Sequence, residues 1–382
     1  MRSVREIPVL ENIPILVRAA LNVPIKEGRV TNDYRLRRAL PTLQYLTERG
    51  ARVILVSHVG EKGTETLAPV AEALGKLIPG VSFFPETLGS RVRHAIRGVT
   101  PGEILVLENL RRDRREKDND KTFARELAAL ADVFVQDSFD TCHRTHASIV
   151  SVPELLPSYA GILLEEEVHE LSRALTPTHP ALAVIGGAKF STKEPVLTRL
   201  LEHYDIVFPG GALANDFLQA TGQAVGMSLV SIASKDRIKE LLADPRLVIP
   251  VDSLVVDAHE VGKTDARAHA RVAEKGQVHP TDVILDHGPG TVAYLVERAR
   301  SAKTILWNGP LGKYEDGFVD ATNAFARAIA DSGAFSVIGG GDTIAAIEEL
   351  GLLSRISFVS TGGGAMLEFL AKGTLPGIAA LG

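Results

Sequence analysis

The chain has 382 residues, 45% hydrophobic and 23% charged, so two or three globular domains are expected, not one core or a disordered polymer. A formal net charge of −5 argues against a nucleic-acid or anionic-membrane partner, and no run approaches the roughly 20 apolar residues of a membrane helix. A single cysteine, Cys142, excludes an internal disulfide and fits a reducing compartment, and the charges at Arg2, Arg5, Glu6 and Glu11 do not suit a secretory leader; a cytoplasmic protein is expected.

In chain order, short β-branched runs predict strands at 15–17, 53–56, 104–107 and 133–135. They release into Asn22-Val23-Pro24, Ser57-His58-Val59-Gly60, Glu108-Asn109 and Gln136-Asp137. Apolar residues three and four apart predict a helix over 67–77, and a longer helical stretch over 163–171 is closed by Pro177 and Pro180. Further strands at 182–185, 206–208, 247–251 and 304–307 run into Gly186-Gly187, Pro209-Gly210-Gly211, Asp252 and Asn308-Gly309-Pro310. Two last strands each end in a triple glycine, Gly339-Gly340-Gly341 and Gly362-Gly363-Gly364, with helices expected over 344–350 and 365–371. Such alternation means an α/β protein with parallel sheets and helices on both faces, whose ligands gather at the strand C-termini. Loops are rich in Arg and His before the 163–171 stretch and rich in Gly after it. That shift reads as two α/β domains joined by a helix, one shaped for a small anion and one for a nucleotide; a single large sheet is the alternative.

Arg35, Arg111 and Arg144 stand at predicted loop ends beside His58, His143 and His146. The planar arginine fork grips phosphate or carboxylate through two parallel hydrogen bonds, although each arginine alone also reads as a surface charge. In the second half, Lys189 and Lys193 follow Gly186-Gly187 and are expected on one helix face. The spacing is not that of a Walker A loop, but the lysines could neutralise a transferring phosphoryl group; two solvated lysines are the alternative. A triple glycine leading into a helix points several N–H groups at one spot with the helix dipole behind them, which suits phosphate, or serves only as a tight turn. Asp342, inside the first such loop, could reach a magnesium ion carried by the phosphate.

Ordered stretches across both halves resemble the phosphoglycerate kinase family: residues 17–24, Ser57-His58-Val59-Gly60, Leu107-Glu108-Asn109-Leu110-Arg111, Thr141-Cys142-His143-Arg144-Thr145-His146, Gly187-Ala188-Lys189, residues 307–312, Gly339-Gly340-Gly341-Asp342-Thr343 and residues 360–365. The resemblance implies two Rossmann-like domains with parallel sheets joined by a helical hinge. It places an acid-substrate domain at 1–158, the hinge at 159–176, a nucleotide domain at 177–365, and a tail at 366–382 packing back on the first domain. It implies 3-phosphoglycerate held by Asn22, Arg35, His58, Arg111 and Arg144. Nucleotide would be held by Lys189, Lys193, Asn308, Glu315, Gly340, Gly341, Asp342 and Thr343, with Mg2+ near Asp342. Arg35, Lys193 and Gly363 would act on the migrating group. The implied reaction is reversible phosphoryl transfer between 1,3-bisphosphoglycerate and ADP, by a monomer with ATP/ADP and the acid as its small-molecule partners. No nucleic acid or membrane partner is implied.

Three positions depart from the family pattern, all in the first half. Ala20 stands where the family has Asp, Glu61-Lys62 where it has Arg-Pro, and Asp140 where it has Gly. The family Asp orients the acceptor and its arginines, and the family Arg grips its phosphate. Arg112 or Arg114 is therefore expected to take over phosphate binding. A kinase of another carboxylic acid, or a non-catalytic nucleotide-binding protein, are the other readings.

Overall fold

The strands that stand out in the sequence are those buried on both faces, because a parallel sheet covered by helices on each side needs continuous apolar runs. The computed structural model describes residues 1–231 and 235–382, which divide into two units, Met1–His169 with Thr374–Gly382, and Glu170–Gly373. The first unit holds a six-stranded sheet of β1 (Pro14–Ala19), β2 (Arg52–Val56), β3 (Val81–Phe84), β4 (Ile104–Leu107), β5 (Val133–Asp137) and β6 (Ser158–Ala160). Its spatial order is β3-β4-β2-β1-β5-β6 and every pairing is parallel.

The second unit adds β7 (Ala181–Ile185), β8 (Ile206–Pro209), β9 (Asp252–Asp257), β10 (Arg271–Glu274), β11 (Asp282–His287), β12 (Thr304–Asn308), β13 (Phe335–Gly339) and β14 (Phe358–Val359). Five of these form a parallel sheet in the order β8-β7-β12-β13-β14. The other three form a small antiparallel sheet, β10-β9-β11, in addition to the expected parallel ones. The strand expected over 247–251 is also corrected. Only Leu247 bridges, to Val207, and the strand proper begins at Asp252, after Pro250, whose missing N–H cannot serve a ladder.

Six helices matter to the sites: α1 (Tyr34–Thr47), α2 (Ala68–Gly75), α3 (Ile162–Leu175), α4 (Phe190–Leu201), α5 (Gly341–Glu349) and α6 (Gly363–Lys372). Helix α1 buries Leu36, Ala39, Leu43 and Leu46, spaced three and four apart, in the core formed with Ile15, Val17, Val53 and Leu55 of β1 and β2. That packing leaves Arg35, in the first turn of α1, at the C-terminal edge of the sheet. The unit boundary falls inside α3. Helix α6, most of which was expected in the returning tail, belongs to the second unit. The segment that rejoins the first unit starts at Thr374, and the Gly377 N–H donates to the Cys142 carbonyl at 2.8 Å. No helix among the described residues is long and apolar enough to cross a membrane.

Strand order locates the crevices. In the first unit the chain leaves β1 toward β2 on one side and β5 toward β6 on the other, so the loops after β1 and β5 diverge. In the second, the same reversal lies between β7 and β12. Open α/β sheets bind ligands at such switch points.

Candidate active site

At the first switch point the floor is a buried arginine. Arg18, 1% exposed, donates from Nη1 to the Ala19 carbonyl (2.7 Å) and Ser57 Oγ (3.3 Å), and from Nε to Ser148 Oγ (3.2 Å). Its Nη2 lies 2.9 Å from Nδ1 of His58. A guanidinium can only donate, so Nδ1 accepts and the His58 proton sits on Nε2. Burial, then the cations Arg18, Arg111 and Arg35, hold His58 well below the usual imidazole range. Burial and then Arg111 push His146 down to about 4. Both rings are neutral at pH 7, and the positive charge of the pocket comes from its arginines.

Arg35 donates from Nη1 to the Asn22 carbonyl at 2.8 Å and lies 3.4 Å from Asp140 Oδ2. The Asn22 side chain accepts the Gly60 N–H at 3.0 Å, and Arg111 Nη1 donates to the Gly60 carbonyl at 2.7 Å. Asn109 clamps this arrangement. Its Nδ2 donates to the carbonyls of Val59 (2.8 Å) and Glu65 (3.0 Å), and its Oδ1 accepts the Arg111 N–H (3.0 Å). Gly63, at φ +74°, runs directly against the Arg111 carbonyl. Gly63→Ala is expected to lose roughly 1–3 kcal/mol from the left-handed backbone, with the clash in addition. Urea unfolding at neutral pH measures the loss.

Arg144 is exposed on the turn after Phe139–Thr141, close enough to His146 to depress it. Arg111 also pairs with Glu61, at 3.2 Å; the Arg111 side chain is 6% exposed and that of Glu61 79%. Glu61 thus stands at the mouth, in water, with its carboxylate turned to the pocket arginine. Arg112 and Arg114, expected to take over phosphate binding, each pair with a carboxylate. Arg112 pairs with Glu108 at 2.8 Å, and Arg114, 90% exposed, pairs at 3.1 Å with Asp118, which caps the single helical turn Arg114–Lys117.

In the second unit, Lys189 is the exposed residue capping α4, with extended backbone, while Lys193 tucks inward from the first turn. The two lysines therefore do not share one helix face as their spacing suggested. Lys193 Nζ lies 3.4 Å from Asn308 Oδ1, and burial lowers its pKa to about 8. Gly340, at φ +99°, caps α5, and Gly362 caps α6. A Cβ on Gly363 would lie 3.2 Å from the Gly340 Cα, so the two triple-glycine turns touch and present two helix N-termini side by side. Thr343 is fully buried, and its Oγ1 accepts the Gly309 N–H at 3.0 Å. It ties the β12 loop to α5 and does not face the crevice.

Beside Gly187 opens a cavity of about 420 Å³. Leu229, Val261, Val283, Leu285 and Leu311 give it apolar walls, and Glu315 and Asp342 stand in its lining. Such a slot with polar groups at its margin suits a planar base with a sugar and phosphates beyond it.

A family model described as phosphoglycerate kinase matches residues 4–373. The chain belongs to the phosphoglycerate kinase family. Curated phosphoglycerate kinases from Roseiflexus sp. (strain RS-1) and Pelotomaculum thermopropionicum are 43% and 41% identical to it. The matches cover 96% and 100% of this chain and 95% and 98% of those proteins. The solved phosphoglycerate kinase from Coxiella burnetii superposes with a TM-score of 0.85 at 39% identity, covering 99% of this chain and 98% of that one. The one from Pyrococcus horikoshii gives 0.86 at 32%, covering 100% and 98%.

Several residues of this phosphoglycerate kinase fold escape sequence reasoning. Arg18 sits inside an apolar strand, where it looks like an interruption of the run. Asn109 reads only as a strand end. Asp286 and His287 line the cavity, and burial pushes Asp286 up to about 7 and His287 down to about 4. Their one visible signal is a charged pair closing an apolar run before Gly288-Pro289.

Proposed function

We infer that this protein transfers a phosphoryl group reversibly between 1,3-bisphosphoglycerate and ADP, giving 3-phosphoglycerate and ATP. The supporting observation is the pairing, in a chain that matches the family almost end to end, of an arginine pocket and a nucleotide-sized slot, each at a switch point. Arg35, Arg111 and Arg144 would bind the anionic ends of the acid, and the His58 Nε2–H would donate to it. The acceptor carboxylate is already ionised at neutral pH, so the reaction needs no general base. Lys193 and the N–H groups beginning α5 and α6, around Gly341 and Gly363, would oppose charge on the migrating group.

Asp342 is exposed in the first turn of α5 and lines the cavity, so a hard oxygen donor lies where phosphates would end. That fits Mg2+ held largely through nucleotide phosphates, and the ion would supply charge neutralisation. Acceptor and nucleotide pockets belong to different units, so transfer requires both to be loaded, which limits hydrolysis. The enzyme is read as a monomer with the acid and ATP/ADP as its small-molecule partners. The buried lone thiol of Cys142 suits the reducing cytoplasm.

The test is ADP formation from MgATP and 3-phosphoglycerate. Turnover is expected. ADP formation with another carboxylic acid but not this one, or nucleotide binding with no turnover, overturns the reading. Within the same assay, Glu61→Gln is expected to lower the KM for 3-phosphoglycerate about two- to fivefold with kcat unchanged, because a mostly exposed pair contributes only about 0.2–1 kcal/mol.

A further inference from the structure

We infer that Asp140 is the positioning carboxylate of the acceptor pocket, supplied from the loop after β5 in place of one that the loop after β1 lacks. This rests on the phosphoglycerate kinase reading. Strands β1 and β5 are parallel neighbours in register Ala19↔Asp137, so Ala20 and Ser138 follow as the next residues on either side of the switch point. Ala20 is fully buried and offers only a methyl group. Two residues beyond Ser138, the Asp140 side chain is 7% exposed. The family pattern has an acid at the first position and glycine at the second; here the first is alanine and the acid stands at the second, across one pair of adjacent strands.

The hydrogen bonds give this carboxylate a defined post. Ser138 Oγ donates to Asp140 Oδ1 at 2.6 Å, and Arg35 Nη1 lies 3.4 Å from Oδ2. The same Nη1 holds the Asn22 carbonyl. One amino group of Arg35 therefore joins the loop after β1 to the loop after β5, and Asp140 is its anchor on the β5 side. Ser138 is itself placed by Thr141, whose Oγ1 lies 2.9 Å from Ser138 Oγ. An ionised carboxylate only accepts, so beside a bound acid it orients a hydroxyl and disfavours an additional anionic group. Asp140 is thus a specificity determinant for a hydroxyl-bearing acid, as well as a support for Arg35.

The experiment is a carboxylate exchange. Asp140→Gly is expected to raise the KM for 3-phosphoglycerate at least tenfold and lower kcat, with Asp140→Asn, nearly the same shape, also impaired. Adding Ala20→Asp to Asp140→Gly is expected to recover at least tenfold in kcat/KM, and Ala20→Asp alone to impair, since two carboxylates would crowd one arginine. A merely structural role for the loop would not be rescued from the neighbouring strand. An Asp140→Gly enzyme with unchanged or lower KM overturns the inference, as does impairment without rescue. Inactivity of the wild-type enzyme toward 3-phosphoglycerate would count against the kinase reading instead. Calorimetric binding of 3-phosphoglycerate to the wild type and the same four variants then decides the role of Asp140, and no binding by the wild type overturns it.

Discussion

Replacing Lys193 with alanine is expected to lower kcat about 10²–10³-fold, the loss that follows removal of one preorganised charge-stabilising donor, with a smaller change in nucleotide KM. The ammonium is held from the first turn of α4 against Asn308, and its burial brings the pKa to about 8 from an ordinary 10.5. A depressed lysine makes a second, pH-dependent expectation. The free enzyme loses this charge as pH rises through about 8, so kcat/KM for nucleotide falls along a limb with that apparent pKa. Lys193→Arg stays charged, and although its wider fork lowers activity, its profile should lack the limb up to pH 10. Stability moves the other way. Between about 8 and 10.5 the unfolded chain binds more protons at this position than the folded one, so the contribution of Lys193 to folding improves as pH rises through that window. Activity and urea-unfolding profiles from pH 6.5 to 9.5 separate the two trends. A Lys193→Ala enzyme within fivefold of wild type would remove the residue from the reaction.

The legibility of this site follows from how each part is held. Strands β1, β2, β4, β5, β7 and β12 are central and buried, so they appear as continuous apolar runs with their functional loops immediately after them. For that reason the loops carrying His58, Lys193 and the glycine turns stand out in the sequence, whereas Asn22 and Asn308 are singled out only by the resemblance to the family. Strands β3 and β6 lie at the sheet edges, and β6 has only three residues, Ser158–Ala160. Their β character comes from pairing with neighbours distant in the chain, which no local pattern carries. The antiparallel sheet was hidden for a related reason. Its strands are separated by long polar segments, and Asp282 and Asp286 break the apolar signal of β11. Electrostatics was the least legible layer. Nothing in the order of residues indicates that Glu61 turns to Arg111, that Arg112 is taken by Glu108, or that Arg18 lies beneath His58.

Arg18→Met keeps the length of the side chain and removes the buried cation, and it is expected to cost about 3–5 kcal/mol, as breaking one half of a buried ionic arrangement does. The charge of Arg18 is balanced by Glu116 through a shared hydroxyl. Arg18 Nε donates to Ser148 Oγ at 3.2 Å, and Ser148 Oγ donates to Glu116 Oε1 at 2.6 Å. Burial already pushes the Glu116 carboxyl up, against the pull of Arg18. Without the arginine its folded pKa rises further. A carboxyl with a raised folded pKa destabilises above the unfolded value and ceases to do so as pH falls, so the variant should be hurt more at pH 8 than at pH 5. Arg18→Met with Glu116→Gln removes both charges and should recover much of the loss, because the amide oxygen can still accept from Ser148. The site responds as well. His58 Nδ1 loses the donor that fixes its tautomer, so Nε2 no longer presents a committed N–H, and the KM for the acid should rise while nucleotide affinity, built in the other unit, stays within about twofold. Urea unfolding followed by far-UV circular dichroism at the two pH values, with nucleotide titration as the control, gives each quantity. A double variant no more stable than Arg18→Met alone would show that lost packing around the guanidinium, not an uncompensated Glu116, sets the cost.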